Sequence, residues 1–232
     1  MIRDRFEVVM TRVHNACKRS GRDPHEVRLI LVTKEVEPSQ ILEAYQVGVR
    51  DFGENRVQEF LRKQECLPKD IQWHLIGSLQ TNKVKYVVGK VVLIHSLDRV
   101  ELAEALQEEA EKKSQTVQVL IQVNTSGEGT KHGFRPEDLG EAAREVARHH
   151  RLRIRGLMTI GPFTDERERV RSSFRLLRRL RDQMQNDVTR ADWHCLSMGM
   201  SSDFEIAIEE GANCLRIGTA VFGERAGVKR KA

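Results

Sequence analysis

One lysine is placed where its amine could do chemistry. Lys34 follows residues 27–33, an apolar run of residues that favour β-strands. An amine at the end of a buried strand is partly shielded from water, so it loses its proton more easily and can form a Schiff base with a carbonyl. Most lysines at strand ends extend their amine into solvent instead. The lysine alone therefore allows both interpretations, and the residues around it decide between them.

Two short segments near the C-terminus combine hydroxyl groups with glycine. One contains Ser197, Gly199 and Ser201, and the other contains Gly218 and Thr219. Hydroxyl groups donate hydrogen bonds to phosphate, and glycine lets the backbone come close to it. In α/β barrels a phosphate often lies between the loops after strands seven and eight. The two segments together predict a phosphate site, although Ser201 alone is equally typical of a helix N-cap.

Arg216 adds a third kind of group to this set. It lies in a short apolar run two residues before Gly218, where a guanidinium needs a hydrogen-bond acceptor. Pyridoxal 5′-phosphate offers an aldehyde to Lys34, a phosphate to the hydroxyl segments and a ring nitrogen to Arg216. These residue types therefore favour that cofactor. We expect Lys34 to face the phosphate segments across the mouth of the fold.

Eight short apolar runs alternate with longer amphipathic segments. We predict β-strands at residues 27–33, 49–52, 71–76, 91–97, 117–123, 154–160, 193–198 and 214–217. Strands separated by helices form a parallel sheet, and their near-continuous apolar character indicates that both faces are covered. Eight units close most simply into a TIM-type (β/α)8 barrel, which makes residues 1–232 a single domain. An additional N-terminal helix is expected to lie where the last outer helix would pack; an open doubly wound sheet is the alternative.

Composition and charge limit the partners of the protein. The net charge is +5, and the excess is concentrated in residues 167–181 and in a basic tail at about 225–232. Residues 167–181 predict an amphipathic helix with a charged, solvated outer face; a nucleic-acid or anionic-membrane patch is the alternative, but no recognition motif accompanies it. The first ten residues do not resemble a secretory signal, no apolar run approaches membrane-spanning length, and the four cysteines show no metal-ligand spacing. We therefore expect a cytoplasmic protein.

Five motifs in order carry a resemblance to a known family. They are Val32-Thr33-Lys34, Phe52-Gly53-Glu54-Asn55, and the segments at residues 73–83, 196–203 and 216–223. Together they resemble the pyridoxal phosphate homeostasis proteins, which are related to the N-terminal barrel of alanine racemases, from about residue 27 to residue 225. The resemblance implies that Lys34 forms the internal aldimine, that Arg216 faces the pyridine nitrogen and that Asn55 is a polar contact near the ring. It also implies that the phosphate is surrounded by Ser197, Gly199, Ser201, Gly218 and Thr219.

Several other residues have open roles. Ser78 stands where many family members have proline, and this departure does not affect the site. His74 lies within a strand and is either a satisfied core histidine or a cofactor contact. Lys131, in a glycine-rich loop, is a rival amine, although such a lysine is more typical of a surface. Lys83 and Lys85 are expected to be solvated.

The resemblance leaves a choice between an enzyme and a carrier. Racemases need a base on each face of the substrate, whereas Tyr45 and Tyr86, the two tyrosines of this sequence, lie in predicted helices. Arg216 cannot readily protonate the pyridine nitrogen, so the ring would be a poor electron sink. We predict a non-catalytic carrier or buffer in vitamin B6 homeostasis, a monomer that meets apo forms of pyridoxal phosphate enzymes transiently and binds neither nucleic acid nor membrane. The alternatives are a low-activity amino-acid racemase and a class I aldolase-type enzyme that uses the lysine and the phosphate site without the cofactor.

Overall fold

A computed structural model describes residues 1–129 and 131–224. Within them, eight parallel strands form a closed barrel in chain order. The strands are β1 (Arg28–Val32), β2 (Asp51–Glu54), β3 (Gln72–Leu75), β4 (Leu93–Leu97), β5 (Val117–Gln122), β6 (Leu152–Met158), β7 (Cys195–Ser197) and β8 (Cys214–Ile217). The pairing of β1 with β8 closes the barrel, with Leu31 opposite Ile217. The barrel prediction is confirmed and the open sheet is wrong; the basic tail lies outside the described residues.

The helices form an outer layer around the strands. They are α1 (Ile2–Ser20), α2 (Pro38–Gln46), α3 (Val57–Cys66), α4 (Val100–Lys112), α5 (Leu139–Arg148), α6 (Arg167–Asp187), α7 (Phe204–Glu209) and α8 (Thr219–Phe222). Helix α1 packs against α7, α8 and α2. Since an outer helix after β8 would lie between α7 and α2, α1 covers the place we expected. None of the helices in the described ranges is long and apolar enough to cross a membrane.

The arginine-rich helix α6 is amphipathic, as its sequence predicts. Its inner face buries apolar side chains such as Phe174 and Leu177. Part of its charged face is not simply solvated, because Arg171, Arg175 and Arg178 all lie within 3.5 Å of the carboxylate of Glu210, at the end of α7. Burial raises the pKa of Glu210, but hydrogen bonds from Arg175 and Arg171 outweigh it and hold the pKa below its ordinary value.

Three local predictions from the sequence need correction: the end of the second strand at Phe52, a helix after Gln80, and Asp98 as the cap of the helix that follows the fourth strand. Strand β2 extends to Glu54 and not to Phe52, because a buried ion pair lets a charged residue continue the strand. The segment after β3 is a 3-10 helix, Thr81–Tyr86, in which β-branched residues and a following glycine disfavour a longer α-helix. Asp98 does not cap α4; its carboxylate instead accepts a hydrogen bond from the guanidinium of Arg99.

Candidate functional site

Lys34 lies in a tight turn immediately beyond β1. The N–H of Val36 donates to the carbonyl of Thr33 at 2.9 Å, which closes the turn around Lys34 and Glu35. Glu35 adopts φ 57°, a left-handed conformation that costs a residue with a side chain about 1 kcal/mol or more. The side chain of Lys34 is 29% exposed, and its Nζ lies 3.9 Å from Glu35 Oε1. A strained turn thus holds a partly shielded amine at the carboxyl end of the barrel.

A buried cluster of charged residues holds this turn from below. Lys63 Nζ, on α3, donates to the carbonyl of Thr33 and to Glu54 Oε1, both at 2.7 Å. The hydroxyl of Thr33 donates to the same carboxylate oxygen at 2.6 Å. Glu59 Oε2 accepts a hydrogen bond of 3.1 Å from the N–H of Glu35, which offsets the strain of that residue. We call Thr33, Glu54, Glu59 and Lys63 the lysine-turn clamp.

The two carboxylates of the clamp have different electrostatic environments. Burial raises the pKa of Glu54, and hydrogen bonds from Lys63 and Thr33 offset this only in part. Burial also raises the pKa of Glu59, but the hydrogen bond from the Glu35 N–H and the proximity of Lys63 hold it below its ordinary value. Sequence reasoning missed this cluster. The available signal was Lys63, a charged residue at helical spacing from Val57 and Phe60 on the inner face of α3.

Asn55 follows β2 directly and presents an unused acceptor. Its Oδ1 is buried, and no donor among the described residues reaches it. The backbones of Asn55 and Gly77 are packed against each other so closely that a side chain at Gly77 would collide with the Asn55 carbonyl oxygen. A buried acceptor without a partner is costly unless a ligand or water supplies a donor.

Arg216 points into the barrel from β8 and is only 5% exposed. Its Nη1 donates to Ser197 Oγ at 2.6 Å and its Nη2 donates to the carbonyl of Thr159 at 2.7 Å. Two of the five guanidinium N–H groups are thereby satisfied within the described chain. Burial lowers the pKa of Arg216, partly offset by Cys214 and Asp203. Ser197 therefore orients the arginine here, and its contact with a phosphate stays a prediction.

The loops after β7 and β8 converge on Ser201. Its Oγ accepts hydrogen bonds from the N–H groups of Gly218 and Ala220, each at 3.2 Å. Two backbone donors that aim at one oxygen mark a place where an anionic oxygen could bind. Thr219 begins α8 with its side chain exposed. Gly199 has φ 93°, and a Cβ there would lie 2.6 Å from the Cβ of Ala207, so packing on α7 already requires glycine at this position.

The order of the strands brings these residues to neighbouring positions. Strands β7, β8, β1 and β2 are consecutive in the closed barrel. Lys34 consequently lies beside the loops of Ser201 and Gly218, and the expectation that it faces them across the mouth is wrong. Asn55 and Arg216 follow on the flanking strands β2 and β8. All of the predicted site residues therefore belong to one arc of the barrel.

The residues with open roles are also located. His74 is buried, with its Nδ1 3.1 Å from His95 Nε2 and its Nε2 2.9 Å from Asp51 Oδ1, so it is a satisfied interior histidine. Lys131 Nζ donates to the carbonyl of Gly161 at 2.7 Å and to Glu128 Oε1 at 3.0 Å. That lysine is consequently tied to the neighbouring loop. Lys83 and Lys85 lie over the ring of Tyr86 on the outside of the barrel.

The fold and the placement of the site first define a class of protein. The family model of the alanine racemase N-terminal domain matches residues 13–226. A solved alanine racemase of Clostridium difficile 630 superposes with a TM-score of 0.72 at 14% identity, over 97% of this chain and 57% of that one, a likeness in fold alone. The protein is therefore a barrel of the alanine racemase N-terminal class.

Comparison with more similar proteins narrows this class. A pyridoxal phosphate homeostasis protein of Aquifex aeolicus (strain VF5) is 51% identical over 223 residues, covering 96% of this chain and 97% of that protein. One of the same name from Pseudomonas aeruginosa is 40% identical over 225 residues, covering 97% and 96%. PipY of Synechococcus elongatus PCC7942, solved with PLP bound, superposes with a TM-score of 0.83 at 35% identity, over 96% of this chain and all of that one. This chain belongs to the family of pyridoxal phosphate homeostasis proteins.

Proposed function

We propose that this protein binds pyridoxal 5′-phosphate covalently on Lys34 and carries or buffers the cofactor in vitamin B6 homeostasis. The observation that carries the proposal is the meeting of an amine, an unused buried acceptor and a buried arginine on one arc of the barrel, at Lys34, Asn55 and Arg216. The solved PipY with PLP bound and the name of the curated relatives support it. When bound, the cofactor supplies an aldehyde that condenses with an amine.

The residues of this arc fit the groups of the cofactor. Asn55 Oδ1 needs a donor, which a ring hydroxyl would provide. Arg216 has further N–H groups to offer to a ring nitrogen, and the N–H groups of Gly218 and Ala220, together with the hydroxyl of Ser201 turned to donate, can bind phosphate oxygens. We assign Gly199 and Thr219 to the same phosphate-facing loops, and Ser197, the last residue of β7, to the orientation of Arg216 beneath the cofactor. Lys34 is held by the strained turn and the clamp, so little ordering of its backbone is required on binding.

We further propose that the protein does not turn over amino acids. Removal and return of an α-proton on opposite faces needs two bases. Tyr45 donates its hydroxyl to Asp70, in the loop before β3, and thus lies at the opposite end of the barrel from Lys34. Tyr86 lies in the outer 3-10 helix. Arg216 stays a donor to the pyridine nitrogen and does not protonate it, because a guanidinium keeps its proton even when burial lowers its pKa. These features favour the carrier over the racemase.

The biological setting follows from the same proposal. A carrier that is a monomer can meet many apo-enzymes briefly, and we propose transient contacts of this kind and no nucleic-acid or membrane partner. The four cysteines are free thiols, which supports a reducing compartment and hence the cytoplasm.

A titration tests the binding site. Apo protein is mixed with less than one equivalent of pyridoxal 5′-phosphate, and the visible absorbance band of the bound cofactor is recorded. We expect the band in the wild type and its loss in Lys34→Met. The control is Lys83→Met, which removes a lysine on the outside of the barrel and should leave the band unchanged. A Lys34→Met protein that binds as the wild type does would refute the assignment.

A further inference from the structure

A chain of hydrogen bonds crosses the interior of the barrel from Arg216 to Asp51. Ser197 Oγ accepts from Arg216 Nη1 at 2.6 Å and lies 2.9 Å from His95 Nδ1. His95 Nε2 lies 3.1 Å from His74 Nδ1, and His74 Nε2 lies 2.9 Å from Asp51 Oδ1. The five residues come from β8, β7, β4, β3 and β2. We call this series the barrel relay.

The carboxylate end fixes the direction of every hydrogen bond when both histidines are neutral. A carboxylate only accepts, so His74 donates to Asp51 through Nε2, and its bare Nδ1 accepts from His95 Nε2. His95 Nδ1 then carries no proton and accepts from the hydroxyl of Ser197. Ser197 Oγ also accepts from Arg216, whose guanidinium only donates, so the arginine end is compatible with the same order.

Burial makes this order strict. His74 is 1% exposed, while His95 and Ser197 are fully buried, so the described structure leaves little space for water to satisfy a group that turns the wrong way. Burial lowers the pKa of both histidines; Asp51 opposes this for His74, whereas His74, Arg216 and Arg28 lower the pKa of His95 further.

The relay connects the buried positive charge of Arg216 to the carboxylate of Asp51. The two side-chain hydrogen bonds of this buried guanidinium in the described structure go to the neutral oxygens of Ser197 and Thr159, and of the carboxylates only Asp203 acts on its pKa, without an ion pair at 4.0 Å or less among the described residues. Asp51 stands at the far end of the relay with 26% of its side chain exposed, 4.0 Å from Arg28. In a low-dielectric interior, aligned hydrogen bonds polarise one another and can carry the influence of a distant charge.

We propose that Asp51, at the amino end of the barrel, is a positioning residue for Arg216 and acts through His74, His95 and Ser197. By accepting the last proton of the relay, Asp51 keeps Ser197 turned as an acceptor toward the guanidinium. Arg216 is thereby held with its free N–H groups directed to the cofactor ring. This inference rests on the proposed function only in the last step, the contact of Arg216 with cofactor.

The first test needs no cofactor. Nitrogen-15 NMR of the histidine rings in apo protein at pH 7.5 reports which nitrogen carries the proton. We expect His74 and His95 both neutral with the proton on Nε2, and in Asp51→Ala a changed signal of His74. A proton on Nδ1 of His95, or a charged ring, would overturn the relay whether or not the protein binds pyridoxal 5′-phosphate.

The second test measures the cofactor affinity of three variants. Asp51→Ala removes the terminal acceptor, Asp51→Asn keeps an oxygen there, and Asp70→Asn removes a charge at the same end of the barrel that is paired with Arg50 outside the relay. Removal of a link in such a network changes coupling by about 0.5–2 kcal/mol, so Asp51→Ala should weaken binding about 2- to 30-fold. Asp51→Asn should lie nearer the wild type, and Asp70→Asn should match it.

The two tests separate failure of the inference from failure of the proposed function. If the wild type binds on Lys34 but Asp51→Ala binds as tightly as Asp70→Asn, the positioning role of Asp51 is wrong. If the wild type does not bind pyridoxal 5′-phosphate, the proposed function fails and the role of Asp51 in cofactor binding fails with it, while the ring signals still decide whether the relay exists.

Discussion

The structure of the lysine-turn clamp predicts a large loss of stability in Lys63→Met. Lys63 is 8% exposed and its ammonium neutralises Glu54, whose side chain is fully buried, at 2.7 Å. Methionine has similar length but removes the ammonium from both acceptors, so the carbonyl of Thr33 loses this donor and the buried carboxylate keeps only the hydroxyl of Thr33. Removal of one partner of a buried ion pair costs about 3–5 kcal/mol. We therefore expect Lys63→Met to lower the free energy of unfolding by about this amount at pH 7.5.

Urea unfolding of apo protein, followed by tryptophan fluorescence, measures this loss. Trp73 and Trp193 are both buried and report on the transition. The matched variant is Lys63→Met combined with Glu54→Gln, which also removes the buried charge and should recover more than half of the lost stability. A loss below about 1 kcal/mol in Lys63→Met, or no recovery in the double variant, would refute the account of the clamp.

Three further predictions concern pH, phosphate and turnover. Burial lowers the pKa of both His74 and His95, so below about pH 6.5 the unfolded chain takes up protons that the folded chain does not. The free energy of unfolding should therefore fall as pH drops toward 5, by up to about 1.4 kcal/mol per pH unit for each histidine. The raised pKa of buried Glu54 acts in the opposite direction, so urea unfolding across this window is measured in Glu54→Gln as well as in the wild type, and a flat profile in Glu54→Gln contradicts the prediction. Ser201→Ala and Thr219→Val should each weaken cofactor binding about ten- to a hundredfold, because each removes a charge-assisted hydrogen bond worth about 1.5–3 kcal/mol. Circular dichroism should show that the fold is intact. Unchanged affinity in both variants would place the phosphate elsewhere. Holo protein in deuterated buffer should not exchange the α-proton of alanine, serine or glutamate by NMR, and rapid exchange that Lys34→Ala abolishes would restore the racemase.

The barrel could be predicted from the sequence because its signal is local and repeated. Each apolar run, such as 214–217, is short, is followed by turn-forming residues and alternates with an amphipathic segment. The error at β2 has a physical cause: a charged residue such as Glu54 interrupts the apolar pattern of a strand in the sequence, whereas in the fold its partner Lys63, from the next helix, satisfies the charge. Pairings of this kind depend on tertiary structure and leave little trace in a window of sequence.

The candidate site likewise contains residues that could be predicted from the sequence and residues that could not. Residues at strand ends, such as Lys34 and Asn55, could be named from the sequence because the fold itself brings strand ends together. The interior residues that position these side chains could not be predicted from the sequence. Asp51 and His95 have no motif of their own and acquire a role only when the barrel places them in line with His74.

The central claim is that Lys34 holds pyridoxal 5′-phosphate covalently. Its most direct test is borohydride reduction of the protein after incubation with less than one equivalent of the cofactor, followed by proteolysis and peptide mass spectrometry. The account predicts a single major pyridoxyl group on Lys34, the amine held beyond β1 by the clamp. A label confined to Lys131, with Lys34 unmodified, would contradict it.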